Sequence, residues 1–368
     1  MRLRLPAAIA LPAVALLTFA APAFAVTTQH FESPHVHPVE MSPDGTKLFA
    51  VHTAGHELTV FDLTGPAGPV RTGKVEVGYE PVTVRARNNN EVWVVSHISH
   101  AINIIDVATL SVTRTLLPGH QPTDVAFVEG QSRAFVSCSE DDQVVVYDLA
   151  NLDLPPTAIP LDHADPRSLA LSPDGSTLYV SALDSQNETT VVPYQSVAQR
   201  GGRPAPNPPM DPALPPEFAT SLIVRHDGIG WKDEADTTWN VPYTLFDRDV
   251  IAIDTATLNT TTSYRGVGTT LFNLAVNPVT GMVYVSNQEA SNEVRFEENL
   301  FGQFVKTRIT LIDPVGSTVT PVSLNPHINY AVPAGNPAER ALSLAYPLDM
   351  AVSSDGTQIY VAAMSSRR

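Results

Sequence analysis

Cysteine and charged side chains are scarce in this 368-residue sequence. Cys138 is the single cysteine, so no disulfide can form within the chain. A covalently attached c-type haem needs Cys-x-x-Cys-His, so we expect no cofactor on this chain other than a metal ion. Cys138 ends the alternating segment Arg133–Cys138, which favours a small strand residue beside a turn over a reactive thiol.

Basic residues are also few, with 22 Lys and Arg against 38 Asp and Glu and a net charge of −16. This acidic balance argues against nucleic acid or anionic lipid as a partner. Charged residues make up only 16% of the chain and prolines number 32. Such a composition indicates a β-rich protein with many turns.

Long apolar runs are missing except at the N-terminus. Arg2 and Arg4 precede the apolar residues 7–19, and Ala23 and Ala25 supply the small residues that signal peptidase requires. We therefore predict a signal peptide over residues 1–25, cleaved after Ala25. A membrane anchor is the less favoured alternative, because prolines interrupt a short run. The mature chain, residues 26–368, is expected in the periplasm or outside the cell, without a membrane span.

Internal repetition is the strongest signal in the sequence. Six segments each read as an alternating strand, a turn and a second alternating strand: Val39–Val51, Val82–Val95, Asp124–Val136, Ser168–Val180, Asn273–Val285 and Asp349–Val361. Three of the turns contain Asp-Gly, which tolerates the positive φ of a tight reversal. In five repeats a third strand follows and ends in an acidic residue: Asp62, Asp106, Asp148, Asp254 and Asp313. We expect these aspartates to cap turns through backbone hydrogen bonds.

A weaker fourth strand leads from each of the first three repeats toward the next. Four strands in a repeat of this length predict a β-propeller blade. The expected fold is an all-β propeller with five complete blades and a partial sixth that stops after its second strand. Because open sheet edges invite pairing, either residues 26–31 supply a closing strand or the chain is a fragment with an incomplete ring; we favour the fragment.

The segments Ser176–Ala182 and Gly281–Asn287, each followed by a strand that ends in Ile-Asp, resemble the YVTN β-propeller repeat family. The resemblance extends from about residue 36 to the end of the chain. It implies a propeller used for binding, as a surface-layer module or as a scaffold beside a redox domain. The long insertions resemble larger periplasmic propellers fused to a c-type haem domain, which this sequence does not contain.

Insertions interrupt the regular spacing of the repeats. One covers about residues 187–247 in the fourth repeat, and shorter ones cover about 287–308 and 320–346. The first includes a proline-rich stretch, residues 201–216, and a predicted hairpin over Leu222–Lys232. Long loops in compact domains are often functional.

Histidines cluster in two kinds of connection, the turns between second and third strands and the links between blades. In a propeller these connections share one face, which also carries the insertions. The candidate ligand-binding residues of that face are His35, His37, His120, His163, Trp231 and Trp239. The candidate metal ligands are His52, His56, His97, His100 and Asp142, because imidazole is the commonest ligand for zinc, copper or nickel.

No nucleophile elbow, zinc-protease motif or phosphate loop occurs in the sequence. The sequence therefore favours a non-catalytic binding module, with a protein or small molecule on the insertion-bearing face and a redox domain as a further partner. A lactonase-like hydrolase that uses the histidine-bearing face and a structural surface-layer module are the alternatives.

Overall fold

The computed structural model describes residues 33–162, 164–185, 187–199, 201–202, 213, 222–227, 229–233, 236–241, 248–291, 304–330, 332, 336–364 and 366. The predicted signal peptide, the suggested closing strand 26–31, His163 and most of the proline-rich stretch lie outside these residues. No helix in the described ranges is long and apolar enough to cross a membrane.

Five antiparallel sheets of four strands follow one another along the chain, and each runs from its first strand to its fourth in order. The first sheet contains β1 (Val39–Met41), β2 (Lys47–His52), β3 (Glu57–Asp62) and β4 (Val70–Glu76). The second contains β5 (Pro81–Ala86), β6 (Glu91–Ser96), β7 (Ala101–Asp106) and β8 (Ser111–Leu116). The third contains β9 (Pro122–Val128), β10 (Arg133–Cys138), β11 (Gln143–Asp148) and β12 (Thr157–Pro160).

The fourth sheet is split in sequence by the long insertion. It contains β13 (Ala164–Leu171), β14 (Thr177–Asp184), β19 (Val250–Asp254) and β20 (Thr260–Tyr264). The fifth contains β21 (Thr270–Val276), β22 (Val283–Ala290), β23 (Val305–Asp313) and β24 (Thr318–Ser323). A single bridge between Asp184 and Thr270 joins these two sheets. The sixth has two strands among the described residues, β25 (Pro347–Val352) and β26 (Ile359–Ala363), and the short helix α2 (Pro337–Leu342) precedes it.

The insertion forms a sheet of its own. Its strands are β15 (Thr189–Val192), β16 (Leu222–His226), β17 (Trp231–Asp233) and β18 (Asp236–Val241), with helix α1 (Tyr194–Gln199) after β15. Strands β16 and β17 pair antiparallel, which confirms the predicted hairpin. Trp231 packs in a small core with Val192, Val197, Leu222 and Val224, separate from the cores of the repeats.

Turn chemistry explains why each repeat reverses where it does. Gly45, Gly175 and Gly356 all have φ of +69°, a conformation that L side chains adopt only at a cost. The Asp44 carboxylate accepts from the backbone N–H of Thr46 at 3.0 Å and so fixes the first of these turns. The aspartates that end the third strands behave as predicted, since Asp106 Oδ1 accepts from the N–H of Thr109 at 2.7 Å.

Neighbouring sheets pack face to face through alternating apolar residues. Phe49 and Leu58 of the first sheet lie in one cluster with Val84 and Ile105 of the second. Trp93 of the second sheet is buried in a cluster with Val136 of the third. First strands contact the first strands of neighbouring sheets in five pairs: β1 with β5, β5 with β9, β9 with β13, β13 with β21, and β21 with β25. First strands therefore lie innermost, which confirms the predicted propeller arrangement.

Candidate functional site

A cavity of about 480 Å³ lies along the innermost strands. Its polar lining consists of His37, Glu40, Arg85, Arg87 and Glu129. Its apolar lining comes from Ala86, from residues 125–127, 169–171 and 274–276, and from Met350. Most of these residues belong to the later halves of the first strands. The cavity therefore lies along the central channel that the first strands surround, toward the end at which those strands finish.

Arg85, which lines this cavity, forms an ion pair with the fully buried Asp124. Arg85 Nε lies 3.2 Å from Asp124 Oδ1, and Arg85 Nη2 donates to Asp124 Oδ2 at 3.2 Å. Asp124 also accepts from the backbone N–H groups of Val125 and Leu169, each at 2.8 Å. Burial opposes the charge of Asp124, but Arg85 and His37 outweigh that effect and lower its pKa to about 2. This carboxyl group is therefore ionised at neutral pH.

The Arg85 guanidinium is held firmly while part of it remains available. Burial opposes its charge, yet Asp124 and Glu40 together raise its pKa above the ordinary value. Two of its nitrogens, Nε and Nη2, contact Asp124. The third, Nη1, has a longer contact of 3.5 Å with Glu40 Oε2. Nη1 can therefore serve a ligand without breaking the pair with Asp124.

Glu40 is a carboxyl group of the cavity lining whose neutral form is favoured by burial. Burial raises its pKa, and the nearby Arg85 offsets only part of that rise. The backbone N–H of Ala86 donates to Glu40 Oε1 at 3.3 Å. A carboxyl group with a raised pKa beside a fixed cation suits proton transfer to and from a ligand.

His37 completes the group from a position before β1. Its Nδ1 lies 3.0 Å from Asp124 Oδ2 and its Nε2 lies 3.8 Å from Asp349 Oδ1. Arg85 Nη2 is 2.7 Å from Nδ1 and 3.0 Å from Nε2. Because the Asp124 carboxylate only accepts, the tautomer with a proton on Nδ1 of His37 donates to it and leaves Nε2 to accept from Arg85 Nη2 at 3.0 Å.

A second set of ion pairs lies on the cavity lining where the inner strands finish. Arg87 Nε donates to Glu129 Oε1 at 2.9 Å, and Arg87 Nη1 donates to Glu91 Oε1 at 3.1 Å. Arg87 directly follows β5, and Glu129 directly follows β9. These side chains offer both donors and acceptors to a polar ligand near the mouth.

Several predicted ligands lie instead at the turns and links where the first strands begin. His97 Nδ1 lies 3.2 Å from the carbonyl oxygen of Pro122, and burial lowers the pKa of His97. His35 Nε2 lies 2.5 Å from Thr53 Oγ1. His120 Nδ1 lies 2.8 Å from Asp141 Oδ1, and this hydrogen bond raises the pKa of the exposed His120.

The remaining candidate residues either accept hydrogen bonds from the backbone or lie away from the cavity. His56 and His100 accept hydrogen bonds from backbone N–H groups at 3.2 and 2.9 Å, and Asp142 accepts a similar bond at 3.0 Å. His52 is exposed at the end of β2. Trp231 is buried in the insertion core. His163 and the side chain of Trp239 lie outside the described residues.

The five predicted metal ligands do not converge. Across the residues that the structure describes, no group of three or more His, Cys, Asp or Glu side chains could hold a metal ion. His100 and His120 come close, with ring centroids 5.3 Å apart, but Nδ1 of His100 already accepts from the N–H of Gln121 and Nδ1 of His120 already pairs with Asp141.

Sequence reasoning missed Glu40, Arg85, Arg87, Asp124 and Glu129. A signal for two of them was present, because Arg85 and Asp124 stand in inner strands that carry no other charged residue. Charged residues are rarely buried without a partner. Opposite charges in neighbouring inner strands therefore indicated an ion pair at the axis.

Sequence comparison adds one family match. A family model described as a lactonase, 7-bladed β-propeller, matches residues 13–201, which are 189 of the 368 residues. No curated protein matches the chain.

Several solved structures have a similar fold. Hydrazine synthase from Kuenenia stuttgartiensis is 18% identical over 92% of this chain and 77% of that one, with a TM-score of 0.63. A candidate 6-phosphogluconolactonase from Bacteroides uniformis is 14% identical over 89% and 78%, with a TM-score of 0.53. Another, from Bacteroides fragilis, is 12% identical over 88% and 76%, with a TM-score of 0.52. At such low identities these similarities concern the fold alone.

Proposed function

We propose that this chain, which belongs to the 7-bladed β-propeller lactonase family, hydrolyses a lactone in the channel cavity. One observation carries the proposal: Glu40, whose pKa burial raises, faces the same cavity as the fixed guanidinium of Arg85, with 3.5 Å between Oε2 and Nη1. A base and a cationic hydrogen-bond donor side by side are what ester hydrolysis requires.

The reaction would use only groups of this chain and water. The Glu40 carboxylate takes a proton from a water molecule as the water oxygen attacks the lactone carbonyl carbon. Arg85 Nη1 donates to the carbonyl oxygen as it becomes negative. The ring C–O bond then breaks, and protonated Glu40 returns its proton to the departing ring oxygen. One lactone and one water give one hydroxy acid.

The substrate class follows from the other polar groups of the cavity. Arg87 and Glu129 lie on the lining beyond Arg85 and present both donors and acceptors. Apolar strand residues such as Leu171 and Val276 line the rest. A lactone that carries several hydroxyl groups on a compact ring would match this lining.

A lactone panel tests the proposal. The purified chain would be assayed by proton release at constant pH, with each rate corrected for spontaneous hydrolysis. We expect Glu40→Gln to lower kcat by about 100-fold or more, the usual contribution of a general base. Arg85→Met should lower kcat by about 100-fold as well, since it removes the oxyanion donor.

A matched control is available at Glu57, which pairs with Lys74 at 2.7 Å away from the cavity lining. Glu57→Gln should leave turnover unchanged. A panel without turnover would contradict hydrolysis, and so would an active Glu40→Gln variant. Binding of a lactone or hydroxy acid without turnover would favour the second candidate, a non-catalytic binding module.

That second candidate is supported by the charge balance of the site. Asp124 and Glu40 both contact Arg85, so the positive charge of Arg85 is balanced by side chains of the protein itself. A compensated network of this kind can hold a polar ligand while it fixes the inner strands. A redox partner domain for such a module stays a prediction from sequence.

Export is likewise a proposal. Residues 1–25 have the features of a signal peptide, and cleavage after Ala25 would leave Val26 as the first residue. Expression in a bacterial host, followed by N-terminal sequencing of the protein from the periplasm or medium, tests this. Recovery only in the cytoplasm with Met1 retained would contradict it.

The sixth sheet is the subject of a further proposal. Strand β26 alternates between half-buried and exposed residues, whereas the equivalent strands β6 and β10 are almost wholly buried. Since the family is described as seven-bladed, we propose that a further strand pairs with β26. Slow hydrogen exchange at the outward N–H groups of Ile359–Ala363 would support this pairing, and fast exchange would oppose it.

A further inference from the structure

Residues 33–37, which we name the strap, lie across the beginnings of the inner strands. They precede β1 but pair with the second sheet, where His37 forms a parallel bridge with Thr83. The N–H of Val36 donates to the carbonyl oxygen of Val82 at 3.0 Å, and the N–H of Val84 donates to that of His37 at 2.9 Å. The strap therefore adds a short strand to the inner edge of the second sheet.

Side chains from other sheets hold the strap in place. Arg167 of the fourth sheet donates to the carbonyl oxygen of Pro34, and Asn273 of the fifth donates to that of Val36. Both side chains belong to inner strands and are buried. Val36 itself is 1% exposed. The strap is thus packed near the beginnings of the inner strands, whereas Arg87 follows the end of β5.

The strap also delivers a side chain to the cavity. His37 is 7% exposed and lines the cavity. Its imidazole lies between Asp124 of the third sheet and Asp349 of the sixth, at 3.0 and 3.8 Å, and against the guanidinium of Arg85. No residue of β1–β26 supplies this imidazole, because His37 precedes β1.

We propose that the docked strap completes the channel site, and that His37 is a positioning residue that fixes Arg85. With the strap docked, the His37 ring contacts Arg85 Nη2 and donates to Asp124. With the strap released, water enters that space, and Arg85 keeps only its contacts with Asp124, Glu40 and the carbonyl oxygen of Leu169. The proposal takes its site from the proposed lactonase function but concerns the assembly of that site.

Releasing the strap and removing the imidazole are two separate changes. Val36→Asp places a carboxylate where the side chain is buried, which favours the released strap because burying an unpaired charge is costly. Val39→Asp is the matched control, since the same change falls at a residue that is 48% exposed. His37→Ala removes the imidazole while the backbone pairing of the strap is kept. His37→Asn restores a donor toward Asp124.

The first measurement needs no turnover. An arginine-specific dicarbonyl reagent would be applied to the folded chain, and labelling of Arg85 would be compared with that of exposed Arg71 by peptide mass spectrometry. Hydrogen exchange of residues 33–37 and of Val84 would be followed in parallel. Hydrogen exchange reports opening of the strap and labelling reports access to Arg85, whatever reaction the site performs.

In the wild type we expect protected amides at Val36 and Val84 and slow labelling of Arg85. Val36→Asp should accelerate strap exchange and Arg85 labelling by about tenfold or more, as expected when a local opening becomes the dominant state. Val39→Asp should change neither. His37→Ala should keep the strap protected but accelerate labelling of Arg85, and His37→Asn should slow that labelling again.

The outcomes that overturn the proposal are distinct from failure of the lactonase proposal. Unprotected strap amides in the wild type would overturn it, as would unchanged Arg85 labelling in a Val36→Asp chain whose strap exchanges freely. If lactone turnover is found, kcat/KM should fall by about 10- to 100-fold in Val36→Asp and His37→Ala, the scale of a misplaced catalytic group. If no lactone is turned over, the labelling results still decide the role of the strap.

Discussion

The Nδ1 atom of His100 accepts a hydrogen bond from the backbone N–H of Gln121 at 2.9 Å. Both residues have a positive φ, 53° and 47°. The bond ties the turn between the second and third strands of the second sheet to the link that leads into the third sheet. His56 accepts from the N–H of Glu80 in the first sheet in the same way, at 3.2 Å.

The third sheet makes the same contact with a different side chain. Asp142 Oδ1 accepts from the N–H of Asp165 at 3.0 Å, and both residues again have a positive φ. His56, His100 and Asp142 each stand six residues before the aspartate that ends the third strand. Each accepts a hydrogen bond from a backbone N–H group at a residue with a positive φ, and this explains why they recur. Metal binding is not needed to account for it.

Replacing His100 tests this reading. His100→Ala should lower the free energy of unfolding by about 1 kcal/mol, the usual value of a lost hydrogen bond to a half-buried backbone group. His100→Asn and His100→Asp should keep most of the stability, because both supply an acceptor and tolerate a positive φ. Urea unfolding followed by circular dichroism measures the differences. Equal stability of His100→Ala and His100→Asn would contradict the role given to Nδ1.

The pH dependence of turnover should report Glu40. The carboxylate form is the base, so the rate should be low below its pKa and rise as the pH passes through it. Because burial raises this pKa, the acidic limb should lie above that of an ordinary glutamate. Arg85 lowers the pKa of Glu40, so Arg85→Met should move the limb to higher pH. Arg71→Met, a change at an exposed arginine, should leave the acidic limb at its wild-type pH. An acidic limb that does not move in Arg85→Met would contradict the assignment of Glu40 as the base.

Asp124 should contribute stability that disappears in acid. Its folded-state pKa of about 2 lies below the ordinary value of 3.8, so the stabilisation is complete above pH 4 and is lost as the pH falls toward 2. The contribution is on the order of 2 kcal/mol. Denaturant unfolding between pH 5 and pH 2 should show a weaker pH dependence in Asp124→Asn than in the wild type.

The Asp124→Asn chain will also be less stable at neutral pH, because Arg85 and His37 lose their anionic partner. Arg85→Met provides a second comparison, since Arg85 is the main attractive influence on the pKa of Asp124. It too should flatten the pH dependence. Parallel curves for all three chains would show that Asp124 is not the responsible group.

Cys138 should be unreactive in the folded chain. Burial raises the pKa of its thiol to about 12, and the side chain is fully buried in the core between the second and third sheets. Alkylation with iodoacetamide at pH 8 should therefore proceed only after denaturation. Mass spectrometry of native and denatured samples checks this. Rapid modification of the native chain would contradict the buried position.

Trp231 should stabilise the insertion sheet without supporting the repeats. Trp231→Ala should cost about 3–5 kcal/mol locally, because it removes the largest side chain of a small core. Hydrogen exchange should accelerate in Thr189–Val192 and Leu222–His226, while β10 and β11 keep their protection. Trp231→Phe should have a smaller effect. Loss of protection throughout the chain would show that the two cores are coupled.

Local patterns in the sequence determined the fold to a large extent. Alternating residues and Asp-Gly turns predict the hairpins, and the structure has them with φ of +69° at Gly45, Gly175 and Gly356. These features depend on a few neighbouring residues, so they can be read without knowledge of the rest of the chain. The capping role of Asp62 and its counterparts follows from the same local chemistry.

The cavity and its ion pairs could not be predicted from neighbouring residues in the sequence. Glu40, Arg85 and Asp124 belong to three different sheets and His37 belongs to the strap before them, and the packing of inner strands round one axis brings these residues together. Their residue types show that ion pairs are needed, but the partners depend on which strands become neighbours at the centre. The histidine pattern predicted a binding face at the turns, whereas the described cavity lies along the inner strands.

The sequence by itself therefore determined a repeat-built propeller, since each repeat specifies its own strands and turns. Tertiary structure decided that Arg85 and Asp124 pair at the axis and that the strap reaches across to them. The physical reason is distance along the chain: the contact between Arg167 and Pro34 joins residues 133 positions apart. Only the packing of successive sheets around a common axis brings such residues into contact.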